Sequence, residues 1–259
     1  ALLLSQEAYS GDCAEGCDLT LAQIQAAAES ATAFTVDADR SEGGWRYWPW
    51  NGDGSNHGDM SHAPWAISAL LASKQAGLQA AMSDFQLNKL GNFINSHGTS
   101  PVDDNSSGTS VATKYCYHTF HDPSFAPRPT VCGLVTRALL QKLSGSADHG
   151  AIPASHAAVQ KFFEDNQPDL QGDLYYNKPG AWLAYMAGNG DWGTALEGYL
   201  TGTQDLSGGS NDGSWYFEDQ HSKGGNAARE TNADGGRLYC TTFAILSLQP
   251  AYAGLKILE

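Results

Sequence analysis

The sequence predicts an all-α fold, a ring of helical hairpins with an inner and an outer helix layer. Three observations carry this. Two Gly-x-Trp motifs lie far apart, GGWRYWPW over Gly43–Trp50 and DGSWYF over Asp212–Phe217, and each runs toward a helix of small residues. Helices that are small and apolar on nearly all sides alternate with amphipathic ones, as inner and outer layers require. Runs of β-propensity of useful length are absent.

The elements follow in order. Leu19 to Phe34 is Ala-rich with apolar residues at helical spacing. Ala63 to Gln75 comes next, where Pro64 suits a first helical turn because it needs no amide partner there. Ser83 to Ser96 carries Phe85, Leu87, Leu90, Phe93 and Ile94 as an amphipathic stripe. Thr130 to Leu143 returns to the small-residue style and stops at Ser144-Gly145. Ser155 to Asp165 is amphipathic. Gly180 to Ala187 and Trp192 to Thr203 form a hairpin broken at Gly188-Asn189-Gly190. Leu238 to Leu248 closes the set. Inner helices are expected to start near residues 20, 62, 130, 178 and 239, with long polar loops at 97–129 and 204–236.

No linker splits the 259 residues, so one domain over 1–259 is expected, long enough for a real core. Hydrophobic residues at 41% and charged residues at 16% exclude a disordered chain and a coiled coil. The longest apolar runs are too short for a membrane span. With 14 basic against 28 acidic residues, net charge is −14 and the cations are scattered. Nucleic acid and anionic membranes need clustered positive charge. The charge therefore favours a neutral or apolar small molecule, a cation, or another protein, with self-assembly open. The start at Ala1 without Met fits a removed leader or a piece of a longer chain. Of five cysteines, Cys13 with Cys17 and Cys116 with Cys132 form two local candidate pairs, leaving Cys240. Such pairing implies a secreted or cell-surface protein.

At these motifs the chain resembles the α/α-toroid superfamily of terpenoid cyclases and prenyltransferase β-subunits, and within it bacterial proteins with prenyltransferase/squalene-oxidase repeats. Gln204 to Trp215 is similar to a QW motif with a longer insert. Gly235 to Gln249 resembles a last inner helix, the stretch from GGWRYWPW through GDMSHAPWAISAL a first repeat, and FAPRPTVCGLVTRALL a middle one. The resemblance implies a toroid. It carries no reaction with it. The acid motif Asp-x-Asp-Asp has only Asp37-Ala38-Asp39-Arg40 as its nearest string, and Val102-Asp103-Asp104 lies in a polar loop. The zinc-binding Asp-x-Cys pair is missing, Asp12 and Cys13 being adjacent.

Several constellations are candidates for chemistry. Cys116, His118, His121 and Cys132 are zinc ligand types, and a Cys116–Cys132 bridge with two loop histidines is the preferred alternative. Asn51, Asp53, Ser55 and Asp59 offer oxygens at near-alternate positions like part of a calcium loop, against a solvated turn. Residues at the first turns of inner helices should face the ring's mouth: Asp59, Ser61, His62, Arg128, Thr130, Tyr175, Tyr176, Arg237, Tyr239 and Cys240. Asp59 with His62 is a candidate acid–base pair, alongside Tyr175 and Tyr176, although Asp59 or Ser61 also suits a helix cap. Arg128 and Arg237 fit either an architectural ion pair, with an acid such as Asp59 or Asp234, or a carboxylate clamp. Trp45 and Trp215 are expected to be structural. Trp48 and Trp50 are expected to be exposed platforms for an apolar ligand or a sugar, with Tyr239 in the same ligand-binding set. Three functions follow: a binding or assembly module without cyclase chemistry, an enzyme on an isoprenoid or neutral glycan at the toroid mouth, or a structural subunit of a surface assembly.

Overall fold

The computed structural model describes residues 20–46, 58–78, 82–99, 114–117, 127–144, 156–217 and 236–252. Eight helices and one two-residue antiparallel strand pair lie among them. The chain packs as two compact units, one of Ala1–Ser155 with Ile257–Glu259, the other of His156–Lys256.

The first unit holds α1 (Leu21–Asp37), α2 (Ala63–Gln75), α3 (Asp84–His97) and α4 (Pro127–Ser144). Thr20 and Ser83 start α1 and α3 through capping boxes. Each hydroxyl accepts the amide of a Gln three residues on, at 3.3 Å, and that Gln side chain accepts the cap residue's own amide. Pro64 stands in the first turn of α2, as its missing amide predicts. Strands β1 (Gly98–Thr99) and β2 (Lys114–Tyr115) pair within the long loop, where the sequence predicts no strand. Two residues are too short to show a period.

The most extensive packing in this unit is between α2 and α4. α1 lies on α2, and α3 on α4. Leu87, Leu90, Phe93 and Ile94 of α3 are buried with Ile67, Leu70 and Leu71 of α2 and Val131, Leu134, Val135, Leu139 and Leu140 of α4. Phe85, expected in the stripe, is 76% exposed. It lies two residues from Leu87, about 200° around the helix. α1, expected among the inner helices, is exposed over most of its length and buries Ala28 and Thr32. The Thr32 hydroxyl meets that of Ser73 on α2 at 2.8 Å.

The second unit repeats this order with α5 (His156–Asp165), α6 (Leu174–Ala187), α7 (Gly190–Thr203) and α8 (Gly236–Tyr252). α6 packs most extensively on α8, α5 on α6, and α7 on both α6 and α8. α6 begins six residues before the predicted Gly180, because Asp173 caps it by accepting the Tyr176 amide at 3.0 Å. Pro179 and Gly180, which resemble a break, lie inside it. Gly180 is needed there: a Cβ would collide with the Trp192 ring. Gly133 of α4 meets the Tyr115 ring in the same way.

Both Gly-x-Trp motifs are built alike. The Trp45 indole N–H donates to the Thr35 carbonyl near the end of α1 at 2.8 Å, and that of Trp215 to Leu200 near the end of α7 at 2.7 Å. Five residues past each carbonyl stands a residue bonded back to the motif. The Arg40 amide donates to Gly44 and the Asp205 amide to Ser214, both at 2.9 Å. Gly43 (φ 97°) and Gly213 (φ 79°) return their own amides to the Arg40 and Asp205 carbonyls from the left-handed region that favours glycine. The indole supplies a donor to a helix end whose last carbonyls have no partner within the helix. The structural role expected for Trp45 and Trp215 thus has a geometry.

Candidate functional site

In the first unit, the candidate acid–base pair sits at the entry to α2. Asp59 is buried, and its Oδ1 accepts the Ser61 amide at 2.8 Å and the Ser61 hydroxyl at 2.7 Å. His62 Nδ1 stands 3.9 Å from that oxygen and 3.4 Å from Ser61 Oγ. The carboxylate therefore holds a turn together, with the serine rather than the imidazole as its nearer side-chain partner. This is a side-chain-stabilised turn ahead of the helix; the N-cap position of α2 is His62, which makes no side-chain cap bond, so neither Asp59 nor Ser61 caps it.

Other expected mouth residues are turned inward. Thr130 is buried and its hydroxyl accepts the Tyr115 amide at 3.2 Å. Arg128 is half-buried in the first turn of α4.

The bridge expected between Cys116 and Cys132 is not formed: both, like Cys240, are buried thiols. Cys116 Sγ donates to the His97 carbonyl at 3.4 Å, and the Cys116 amide donates to the same carbonyl at 3.0 Å. The sulfur already has an acceptor, and all three thiols pack as small hydrophobes. His118 and His121 of the zinc candidate, and Asn51, Asp53 and Ser55 of the calcium candidate, lie outside the described residues, as do Trp48 and Trp50. Among the described residues no group of three or more His, Cys, Asp or Glu could hold a metal ion.

The second unit brings two of the expected site residues together. Tyr239 and Phe243 lie one turn apart on α8 and stack with ring centroids 4.4 Å apart and planes at 28°. Tyr175 of α6 also stacks against Phe243, with ring centroids 6.4 Å apart and planes at 27°. Three half-buried rings, tilted 27–28° from Phe243 in each pair, thus form a ladder where α6 meets α8. Beside it α8 leaves Leu238 at 80% and Ile245 at 53% exposure. Such pairs add about 0.5–1.5 kcal/mol beyond burial. Phe243 is the member missing from the sequence-based set. Its spacing of four from Tyr239 was the available signal.

Tyr176 does not join the ladder. It is buried, edge-on to Trp192, and its hydroxyl donates to the Gln167 carbonyl at 3.1 Å. Burial, then the nearby charges of Asp173 and Asp169, push its phenol far above the ordinary value of 10.0. It stays protonated, with its hydroxyl committed to a backbone carbonyl.

Arg237 makes an ion pair within its own unit. Its Nη1 donates to Asp205 Oδ2 at 3.3 Å and Ser214 Oγ at 2.9 Å, and its guanidinium stands 5.5 Å from the Tyr216 ring centre. It ties the start of α8 to the Trp215 turn. The acid it meets among the described residues is Asp205; Asp234, one of the expected partners, lies outside them. Hydrogen bonds from Ser207, with Arg237 adding to them, hold Asp205 below the ordinary carboxylate value. Gln204 closes the same turn by donating to the Gly213 carbonyl at 2.9 Å.

Among the described residues no helix is long and apolar enough to cross a membrane. Comparison with protein-family models, with curated proteins and with solved structures found no match.

Proposed function

We propose that this chain is an α/α-toroid binding module, similar to squalene-cyclase-like repeat proteins in fold and without their acid chemistry. Its ligand is a neutral, apolar, unsaturated chain, held at the Tyr175–Phe243–Tyr239 ladder. The fold reading is supported by the two units' shared helix order, by α2 on α4 and α6 on α8, and by the common build of the Trp45 and Trp215 turns.

The ladder is the observation that carries the ligand reading. Rings stacked at 4.4 Å, as Tyr239 and Phe243 are, cover one another's inner faces and leave their electropositive edges for a neighbour. A sugar needs an open ring face. A carbon–carbon double bond offers π electrons to a ring edge. The net charge of −14 disfavours anionic ligands.

Export remains part of this reading and now rests on Cys13 and Cys17 in the GDCAEGCD segment, outside the described residues.

Calorimetric titration with a C15 isoprenoid hydrocarbon tests the ligand. Wild type should bind, and Tyr239→Ala or Phe243→Ala should each weaken binding roughly three- to tenfold, the worth of one aromatic contact. His62→Ala should leave it unchanged. No binding by wild type, or equal binding by the ladder variants, would sink the proposal.

A further inference from the structure

Arg237 commits only part of its guanidinium to its own unit. Nη1 donates to both Asp205 Oδ2 and Ser214 Oγ, at 3.3 and 2.9 Å. No described residue accepts a bond from Nε or Nη2. Neither is among the buried nitrogens that lack a partner, so both meet solvent. These two nitrogens share one side of the planar group. Their N–H bonds run parallel, at the spacing that takes both oxygens of one carboxylate.

The fork is also held ready. The Asp205 amide donates to the Ser214 carbonyl at 2.9 Å, so both partners of Nη1 belong to one closed turn. The Tyr216 ring centre lies 5.5 Å from the guanidinium carbon. A side chain fixed by these contacts gives up little further rotamer freedom when a ligand arrives. Two of the three most exposed large apolar side chains among the described residues border the ion pair. Leu238, at 80%, follows Arg237, and Leu206, at 73%, follows Asp205. A cation set among exposed aliphatic and aromatic groups suits a ligand with both a charge and an apolar body. The net charge of −14 opposes anions at range, but salt screens it over about 8 Å and the fork acts at contact.

We infer that the Nε–Nη2 edge of Arg237 binds a carboxylate carried on an aliphatic group, with Leu238 as the apolar contact. The site does not use the ladder rings, and each can fail without the other. A free branched acid and the C-terminal leucine of a peptide share this chemistry.

The test titrates isovalerate, acetate, isovaleramide and N-acetyl-Ala-Ala-Leu into wild type at about 0.15 M salt, followed by NMR. The Arg237 Nε–H resonance is identified by its loss in Arg237→Lys. Isovalerate should move it downfield and bind roughly three- to tenfold more tightly than isovaleramide. That range lies between an exposed ion pair and a charge-assisted hydrogen bond. Arg237→Lys, followed through backbone amides near Leu238, keeps the charge without the fork and should lose most of this preference. Wild type should favour isovalerate over acetate by roughly threefold, about the worth of one buried methylene, and Leu238→Ser should not. Tighter binding of the tripeptide than of isovalerate identifies a protein C-terminus as the source, and the reverse order a free acid. An Arg237 resonance that neither acid moves, or equal wild-type affinity for isovalerate and isovaleramide, overturns the inference. Both of those outcomes are read on wild type, whatever the folding of the variants.

Discussion

Asp39 is the charged residue whose placement most needs explaining. Its carboxylate is buried, with Lys89 Nζ at 2.6 Å. Burial nevertheless outweighs the Lys89 hydrogen bond and charge, and the carboxyl sits above its ordinary value of 3.8. A buried ion pair often costs more in desolvation than its attraction returns. Because the folded-state value is raised, the native state takes up the proton before the unfolded chain does. Asp39 therefore contributes stability that is fully present below pH 3.8 and is lost as pH rises through its folded-state value. Asparagine, a neutral near-isostere, should behave as the protonated form does at every pH. Asp39→Asn is expected to be more stable than wild type at about pH 7, with the advantage closing as pH falls toward 3.8. Urea unfolding of both proteins across that range decides it. A variant less stable than wild type at neutral pH would show that the Lys89 contact prevails over desolvation.

At the scale of elements, the unit that recurs is a helix, a tight turn carrying a tryptophan, and a second helix. Trp45 and Trp215 do the same work in different units: the ring fills the turn, and the N–H caps a carbonyl of the helix just left. Phenylalanine keeps most of the ring and deletes the bond; the Thr35 carbonyl loses its indole donor, while the Leu200 carbonyl keeps the Thr203 hydroxyl at 3.2 Å. Trp45→Phe and Trp215→Phe should each be destabilising, by about 1–3 kcal/mol. Chemical denaturation gives both values, and a loss in one variant only would break the equivalence of the two turns. This much was legible in the sequence, because Gly-x-Trp is a string and the positive φ of Gly43 and Gly213 demands glycine. The bounds of α2 were legible for a similar reason, since Pro64 marks a first turn. The start of α6 was not. Pro179 and Gly180 read locally as a break, and what overrides them is the Asp173 cap before them and the Trp192 ring resting on Gly180. Nor was the ladder. Tyr175 and Tyr239 are 64 positions apart, and Phe243, which stacks with each of them, links the two tyrosines.

For the molecule as a whole, cysteine chemistry bears on where the chain works. The sequence offers two local pairs, and one of them is now removed, since Cys116 and Cys132 are buried thiols with Cys240 as the third. Burial in an apolar core keeps such thiols inert in the folded state, so their presence is compatible with an oxidising compartment. Cys13 and Cys17 stand apart from them in a polar Gly- and Asp-containing segment. Three residues between two cysteines allow a small closed loop, and export would oxidise that pair while sparing the core. The expected count is therefore three reactive thiols in denaturant without reductant, and five after reduction. In the folded protein the three core thiols should react slowly. Purification must preserve the redox state, so the count belongs on protein trapped with an alkylating reagent at harvest. Five thiols before reduction would withdraw the last support for export, while leaving the ladder and its ligand untouched. One thiol before reduction would instead show that Cys116 and Cys132 do bridge, at the expense of the Cys116 contact with the His97 carbonyl.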